Sequence, residues 1–97
     1  MLKLQLIFKR GTKISEKLYL SRDLEVNLKM TKEQVTIWWE EGLVASYGEG
    51  IMDTIEGFFE LVEGDYKFLK DKKDSELGGN MPRIRSTIMS SVRQKKG

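Results

Sequence analysis

The chain has no cysteine and no histidine. Without cysteine it can form no disulfide, no thiolate metal site and no thiol nucleophile. That usage fits a reducing compartment. Without histidine it lacks the commonest general base, the commonest metal ligand and the side chain that changes charge near neutral pH. Proline occurs once, at Pro82, so there is no proline-rich linker. Long apolar runs are missing too. Lys3 and Gln5 interrupt the first residues, Met1-Leu-Lys-Leu-Gln-Leu-Ile-Phe8, which therefore lack the apolar stretch of about 7–15 residues of a secretory signal. No window reaches the roughly 18 apolar residues of a membrane span. A cytoplasmic protein with no membrane contact is expected.

Catalytic and nucleotide motifs are also absent. There is no G-x-x-x-x-G-K-[ST] loop, and Gly48-Glu-Gly50 lacks the third glycine of a dinucleotide fingerprint. No serine lies in G-x-S-x-G, and Ser75 is followed three residues on by Gly78 instead of a lysine base. Asp53, Glu56, Glu60 and Glu63 form a carboxylate row at helical spacing. Di-metal bundles add Glu-x-x-His motifs, which this chain cannot supply. Catalytic carboxylates need burial to separate their pKa values, whereas this row lies opposite an apolar stripe. A solvated helix face is the better account. No enzyme activity, cofactor or metal is expected.

What is present is a globular composition in 97 residues, with 39% hydrophobic and 33% charged side chains, enough for one modest core in a single domain. The net charge of +2 hides a segregated pattern. Residues 1–32 carry eight basic and three acidic side chains, 33–65 carry nine acidic and no basic, and 66–97 carry nine basic and three acidic.

Alternation of Leu2, Leu4, Leu6 and Phe8 against Lys3 and Gln5 predicts a half-buried strand. Gly11 supplies a turn. Ile14, Leu18 and Leu20 predict a second strand, and Leu24, Val26, Leu28 and Met30 a third, giving a three-stranded antiparallel meander over 1–30. Thr31 followed by Gln34 matches a capping box. Val35, Trp38, Trp39 and Leu43 then follow helical spacing up to a break at Tyr47-Gly-Glu-Gly50. Ile51, Met52, Ile55, Phe58, Phe59 and Val62 continue a helical period, extended by Tyr66 and Leu69, against a rival hairpin over 58–70. The span 31–70 is thus expected to hold two acidic helices. Residues 71–81 read as a loop, and 82–95 as a short basic helix with Ile84, Ile88 and Val92 on one stripe and a fraying end. The fold class is α+β: a meander packed on two amphipathic helices, plus the basic C-terminal helix. Core candidates are Leu4, Leu6, Phe8, Leu18, Leu20, Val26, Leu28, Val35, Trp38, Ile55, Phe58, Phe59 and Val62.

No family is identified from the residues. In size and strand-then-helix order alone the chain resembles small phage tail assembly chaperones. The leading functional expectation is a protein–protein interaction domain: an adaptor, assembly factor or inhibitor, phage-encoded if that resemblance holds. On a helix, adjacent tryptophans point about 100° apart. Trp38 is therefore assigned to the core and Trp39 to its edge, as an interface residue with Tyr47 and Tyr66 as neighbours. Glu56 and Glu60 complete that surface, which calls for a partner with a basic patch. The alternative is nucleic-acid binding through Arg83, Arg85, Arg93, Lys95 and Lys96, and the plain reading of the same residues is a solubilising tail or one that pairs with the acidic middle helix of the same chain. The acidic stretch 33–49 is rejected as a recognition helix, because it would repel phosphate. Exposed edge strands make self-association a third expectation.

Overall fold

The computed structural model describes residues 1–96 and is α+β, with antiparallel strands in two sheets and two helices. β1 (Leu2–Phe8), β3 (Leu24–Met30), β4 (Val35–Trp39) and β5 (Val44–Gly48) form a four-stranded sheet in the order β1-β3-β4-β5. β2 (Leu18–Leu20) pairs with β6 (Val92–Gln94) in a second, two-stranded sheet. The helices are α1 (Ile51–Leu69) and α2 (Met81–Ser91), with a single 3-10 turn at Asp74–Glu76 between them.

Register assigns the faces of the larger sheet. Leu4–Leu28–Ile37–Ser46 and Leu2–Met30–Val35–Gly48 are rows across it, and with Leu24, Val26, Trp39 and Val44 they share the inner face. α1 lies on that face through Thr54, Phe58 and Val62. Phe8, Phe58 and Phe59 form an aromatic cluster with centroids 5.0–5.9 Å apart. Ile84, Ile88 and Val92 close the core from the α2 and β6 side.

Several expectations change. The three-stranded meander does not form, because β1 pairs directly with β3 and β2 leaves to meet β6. Gly11, at φ 90°, does make a turn, and its N–H donates to Leu20 O (2.8 Å), so the second segment stays close without joining the sheet. The first expected acidic helix is a β-hairpin. Thr31 Oγ1 accepts from the N–H of Gln34 (3.2 Å) and Glu33 (3.4 Å), as a capping threonine would. The Thr31 N–H, however, donates to Gln34 O (2.9 Å) and closes the β3–β4 turn. Val35, Ile37 and Trp39 alternate with Thr36 and Trp38, the pattern of a half-buried strand. The second acidic helix is present as α1, and it runs through Gly64 without a break. The basic helix ends at Ser91. Arg93 lies on β6 and Lys95 just beyond it, with the Lys95 N–H donating to Lys17 O (2.7 Å), so this segment is paired where fraying was expected. Leu4, expected in the core, is half exposed at the edge of the sheet.

No helix among the described residues is long and apolar enough to cross a membrane.

Candidate functional site

α1 packs on one face of the four-stranded sheet, mainly over β4 and β5, while among the described residues no helix lies on the other. Register puts Gln5, Asn27, Trp38 and Ala45 in one row of that outer face, and Lys3, Lys29, Thr36 and Tyr47 in the next. Trp38 and Tyr47 are diagonal neighbours on β4 and β5, a separation that aromatic side chains span. With Leu43 and Ala45 they line a shallow hollow of about 340 Å³. Acidic side chains ring it: Glu40 at its rim, Glu33 and Glu49 on the far side of Tyr47, and Glu41 and Glu25 toward the other end of β4.

The β4–β5 turn positions this hollow. Glu40 O accepts from the Leu43 N–H (3.2 Å). Gly42 lies against the Trp39 indole, so a Cβ there would sit 2.3 Å from the ring. The chain then passes Leu43 at φ 53°, in the left-handed region that bulky residues avoid. Leu43 is nevertheless 61% exposed.

The two tryptophans exchange the roles expected of them. Trp39 is 2% exposed and belongs to the core, whereas Trp38 is half-buried on the outer face. The reason is the strand period: on a strand, neighbours point to opposite faces. Tyr47 is 64% exposed beside the hollow. Glu56 and Glu60 are exposed, but on α1, the layer opposite Tyr47. Tyr66 is half-buried in a separate groove of about 310 Å³ with Ser15, Lys17, Glu63, Lys67 and Lys70. The five expected interface residues therefore do not make one surface. Of the five, only Tyr47 and, at its base, the buried Trp39 line the hollow, where Trp38 and Leu43 are their neighbours.

The basic residues of the nucleic-acid alternative also separate. Arg85 caps α1 from below: Nε donates to Leu69 O (2.9 Å) and Nη2 to Lys70 O (3.1 Å). The Arg93 guanidinium donates to Met89 O and Val92 O. Arg83, Lys95 and Lys96 are exposed. Among the described residues the ion pairs are Lys9–Asp23, Arg22–Glu41 and Lys67–Glu63, so none joins 83–96 to the acidic 33–65 segment. Arg22 ties three elements together. Its Nε donates to Ser91 Oγ (2.8 Å), and Nη2 reaches Glu41 (3.2 Å).

Two carboxyl groups are perturbed, both on α1. A hydrogen bond from Ser15 lowers the Glu63 pKa; desolvation opposes it and Lys67 adds to it. Burial raises that of Asp65. Among the described residues no three potential ligand side chains come together as a metal ion would need. Set against family models, curated proteins and solved structures, the chain matches none of them.

Proposed function

We propose that the chain is a non-enzymatic protein-interaction domain, an adaptor, assembly factor or inhibitor. Its docking surface is the outer sheet face around Trp38, Tyr47 and Leu43. The carrying observation is Leu43. Left-handed backbone costs a non-glycine residue roughly 1–2 kcal/mol, and an exposed side chain recovers little of that inside its own fold. Strain of this kind concentrates where a binding surface uses it. Here it holds an apolar side chain beside a half-buried tryptophan and an exposed tyrosine, the residue types enriched in binding hot spots. The ring of Glu25, Glu33, Glu40 and Glu49 supports a partner with basic side chains around an apolar anchor, while Glu41 is already paired with Arg22. An arginine of that partner would gain by lying over the Trp38 ring.

The test is to recover the partner from native lysate and to measure its affinity for variants. Trp38→Ala and Leu43→Gly should each weaken binding by roughly tenfold or more, as hot-spot truncations do. A Glu40→Lys/Glu49→Lys pair should slow association and reduce its salt dependence. If the Trp38→Ala/Leu43→Gly double variant binds as the wild type does, the outer face is not the docking surface.

Nucleic-acid binding draws less support, since Arg85 and Arg93 are turned onto backbone carbonyls. A salt-dependent oligonucleotide affinity lost in an Arg83→Ala/Lys95→Ala/Lys96→Ala variant would favour it.

A further inference from the structure

We infer that β1 is a self-pairing edge through which two copies of this chain join their sheets into one of eight strands. This goes beyond the docking surface proposed above and does not depend on it.

The two edges of the four-stranded sheet differ. β5 is closed on its inner side by α1, which approaches so closely that a Cβ on Gly48 would fall 2.5 Å from Thr54 Oγ1, and one on Gly57 2.8 Å from Ser46 Oγ. β1 is open. Leu2 and Leu4 point to the core side of the sheet yet remain 48% and 47% exposed. Natural edge strands are usually shortened, bulged, or broken by proline or charge. β1 has none of these devices except Lys3. Its pairing with β3 runs unbroken from Leu2–Met30 to Phe8–Leu24, so the strand is long and regular.

The strand is also complementary to itself. A two-fold axis through Gln5, perpendicular to the sheet, sets β1 antiparallel to the β1 of a second copy. Leu2 then faces the second copy's Phe8, Leu4 its Leu6, and Gln5 its Gln5. Every inner-face position of the strand meets an apolar residue, and both α1 helices lie on the same side. The outer face matches in charge. Within one copy Lys3 lies directly opposite Lys29, a like-charge pair that nothing on β1 relieves. In the paired sheet the row reads Lys29, Lys3, Ile7 of the second copy, Glu25 of the second copy. With strands about 4.8 Å apart, Glu25 comes within about 10 Å of Lys3, a distance the two long side chains bridge. The two-fold axis repeats this match on the other side.

The absence of cysteine gives a direct test with the full chain. Residues facing each other across an antiparallel pair have Cα atoms about 4.5–5.5 Å apart, within the disulfide range. Under mild oxidation Gln5→Cys should convert almost entirely to a covalent dimer. A mixture of Lys3→Cys and Ile7→Cys should cross-link better than either alone. Sedimentation of the unmodified chain should show a concentration-dependent dimer. Leu4→Lys should raise its dissociation constant at least tenfold while leaving the circular dichroism spectrum unchanged. If Gln5→Cys cross-links no faster than the surface control Glu56→Cys, or the chain stays monomeric at several hundred micromolar, the inference is overturned. A dimer that Leu4→Lys leaves intact overturns it equally, as it must use another surface.

Discussion

Replacing Trp39 with alanine and replacing Trp38 with alanine should have opposite consequences, although the two residues are neighbours in the chain. Trp39 is on the inner face of β4, 2% exposed, with Val44 opposite it across the β4–β5 pair and Gly42 against its ring. Truncation removes the buried indole and leaves a cavity that the rigid hairpin cannot close, at a cost of about 3–5 kcal/mol. A domain of this length has a total stability of roughly 5–15 kcal/mol. With a urea dependence of about 1 kcal/mol per molar, a loss of about 3 kcal/mol lowers the unfolding midpoint by about 3 M. Trp38 lies half-buried on the uncovered face, where a cross-strand aromatic contact contributes about 0.2–1 kcal/mol. Its loss should move the midpoint by less than about 1 M on the same scale. Urea unfolding followed by far-ultraviolet circular dichroism measures both without relying on the mutated fluorophore. Single-tryptophan proteins give a second reading: in Trp38→Phe the remaining Trp39 should emit in the blue and resist acrylamide, and in Trp39→Phe the remaining Trp38 should be quenched. Equal midpoint shifts, or the reverse order, would refute the strand assignment and return residues 35–43 to a helix with both rings at its edge.

Three other perturbations bear on the packing. Gly57→Ala should lower stability by about 1–3 kcal/mol despite the better helix propensity of alanine, because the new Cβ meets Ser46 Oγ at 2.8 Å. Thermal unfolding of Gly57→Ala with and without Ser46→Ala should show partial rescue by the second change, and additive effects would sink the contact. Arg85→Ala should cost about 1–2 kcal/mol, since it removes two charge-assisted bonds to Leu69 O and Lys70 O at the end of α1. A variant that kept its stability and lost only oligonucleotide affinity would show that the guanidinium serves nucleic acid. Asp65→Asn should stabilise the protein at neutral pH. Burial raises the Asp65 pKa above its ordinary 3.8, so the folded state holds this proton more tightly than the unfolded state does. Stability contributed by that group is therefore complete below the ordinary value and is lost as pH rises through the folded one. The gain from asparagine should be largest near pH 7 and vanish on acidification. A gain independent of pH would point to propensity instead.

The α+β class, β1, β3 and α1 are legible in the sequence, because each rests on a local period that the core enforces. The segment 35–47 is not, and the cause is specific. Val35, Trp38, Trp39 and Leu43 satisfy a helical spacing only if Ile37 and Val44 are passed over. Val35-Thr-Ile-Trp-Trp39 consists entirely of β-branched and aromatic residues, the composition that favours strands. The Thr31–Gln34 motif does not decide the matter, since a threonine that satisfies two N–H groups serves a hairpin turn as well as a helix start. Leu18 and Leu20 mark β2 as a strand, but its pairing with β6 leaves no local trace. The two strands are three residues long and sit near opposite ends of the chain, and their pairing is set by where α2 docks. The candidate site follows the same logic. Tyr47 is exposed on either reading, but the exchange of Trp38 for Trp39 turns on period alone, and Leu43 matters through a backbone angle that sequence does not display.

The charge segregation acquires a different meaning in three dimensions. The acidic middle segment does not form one surface. Glu33, Glu40, Glu41 and Glu49 sit in the turns around the outer sheet face, while Asp53, Glu56 and Glu60 line the solvent side of α1 in the opposite layer. No described ion pair connects either group to residues 83–96, and two basic side chains there are occupied with α1 and with their own helix end. Two ion pairs, Arg22–Glu41 and Lys67–Glu63, join the basic segments to the acidic one, while Glu33, Glu40 and Glu49 around the outer face take part in no described ion pair. Pairing through β1 would not consume these three carboxylates, because the hollow lies toward the far edge of the sheet. The strand order of the paired sheet would instead place the two Trp38 residues five strand spacings apart, about 24 Å, with their hollows on one continuous face. A partner that is itself repeated, or that carries two basic anchors at that separation, would then be held by both sites at once, which multiplies affinity without any new contact.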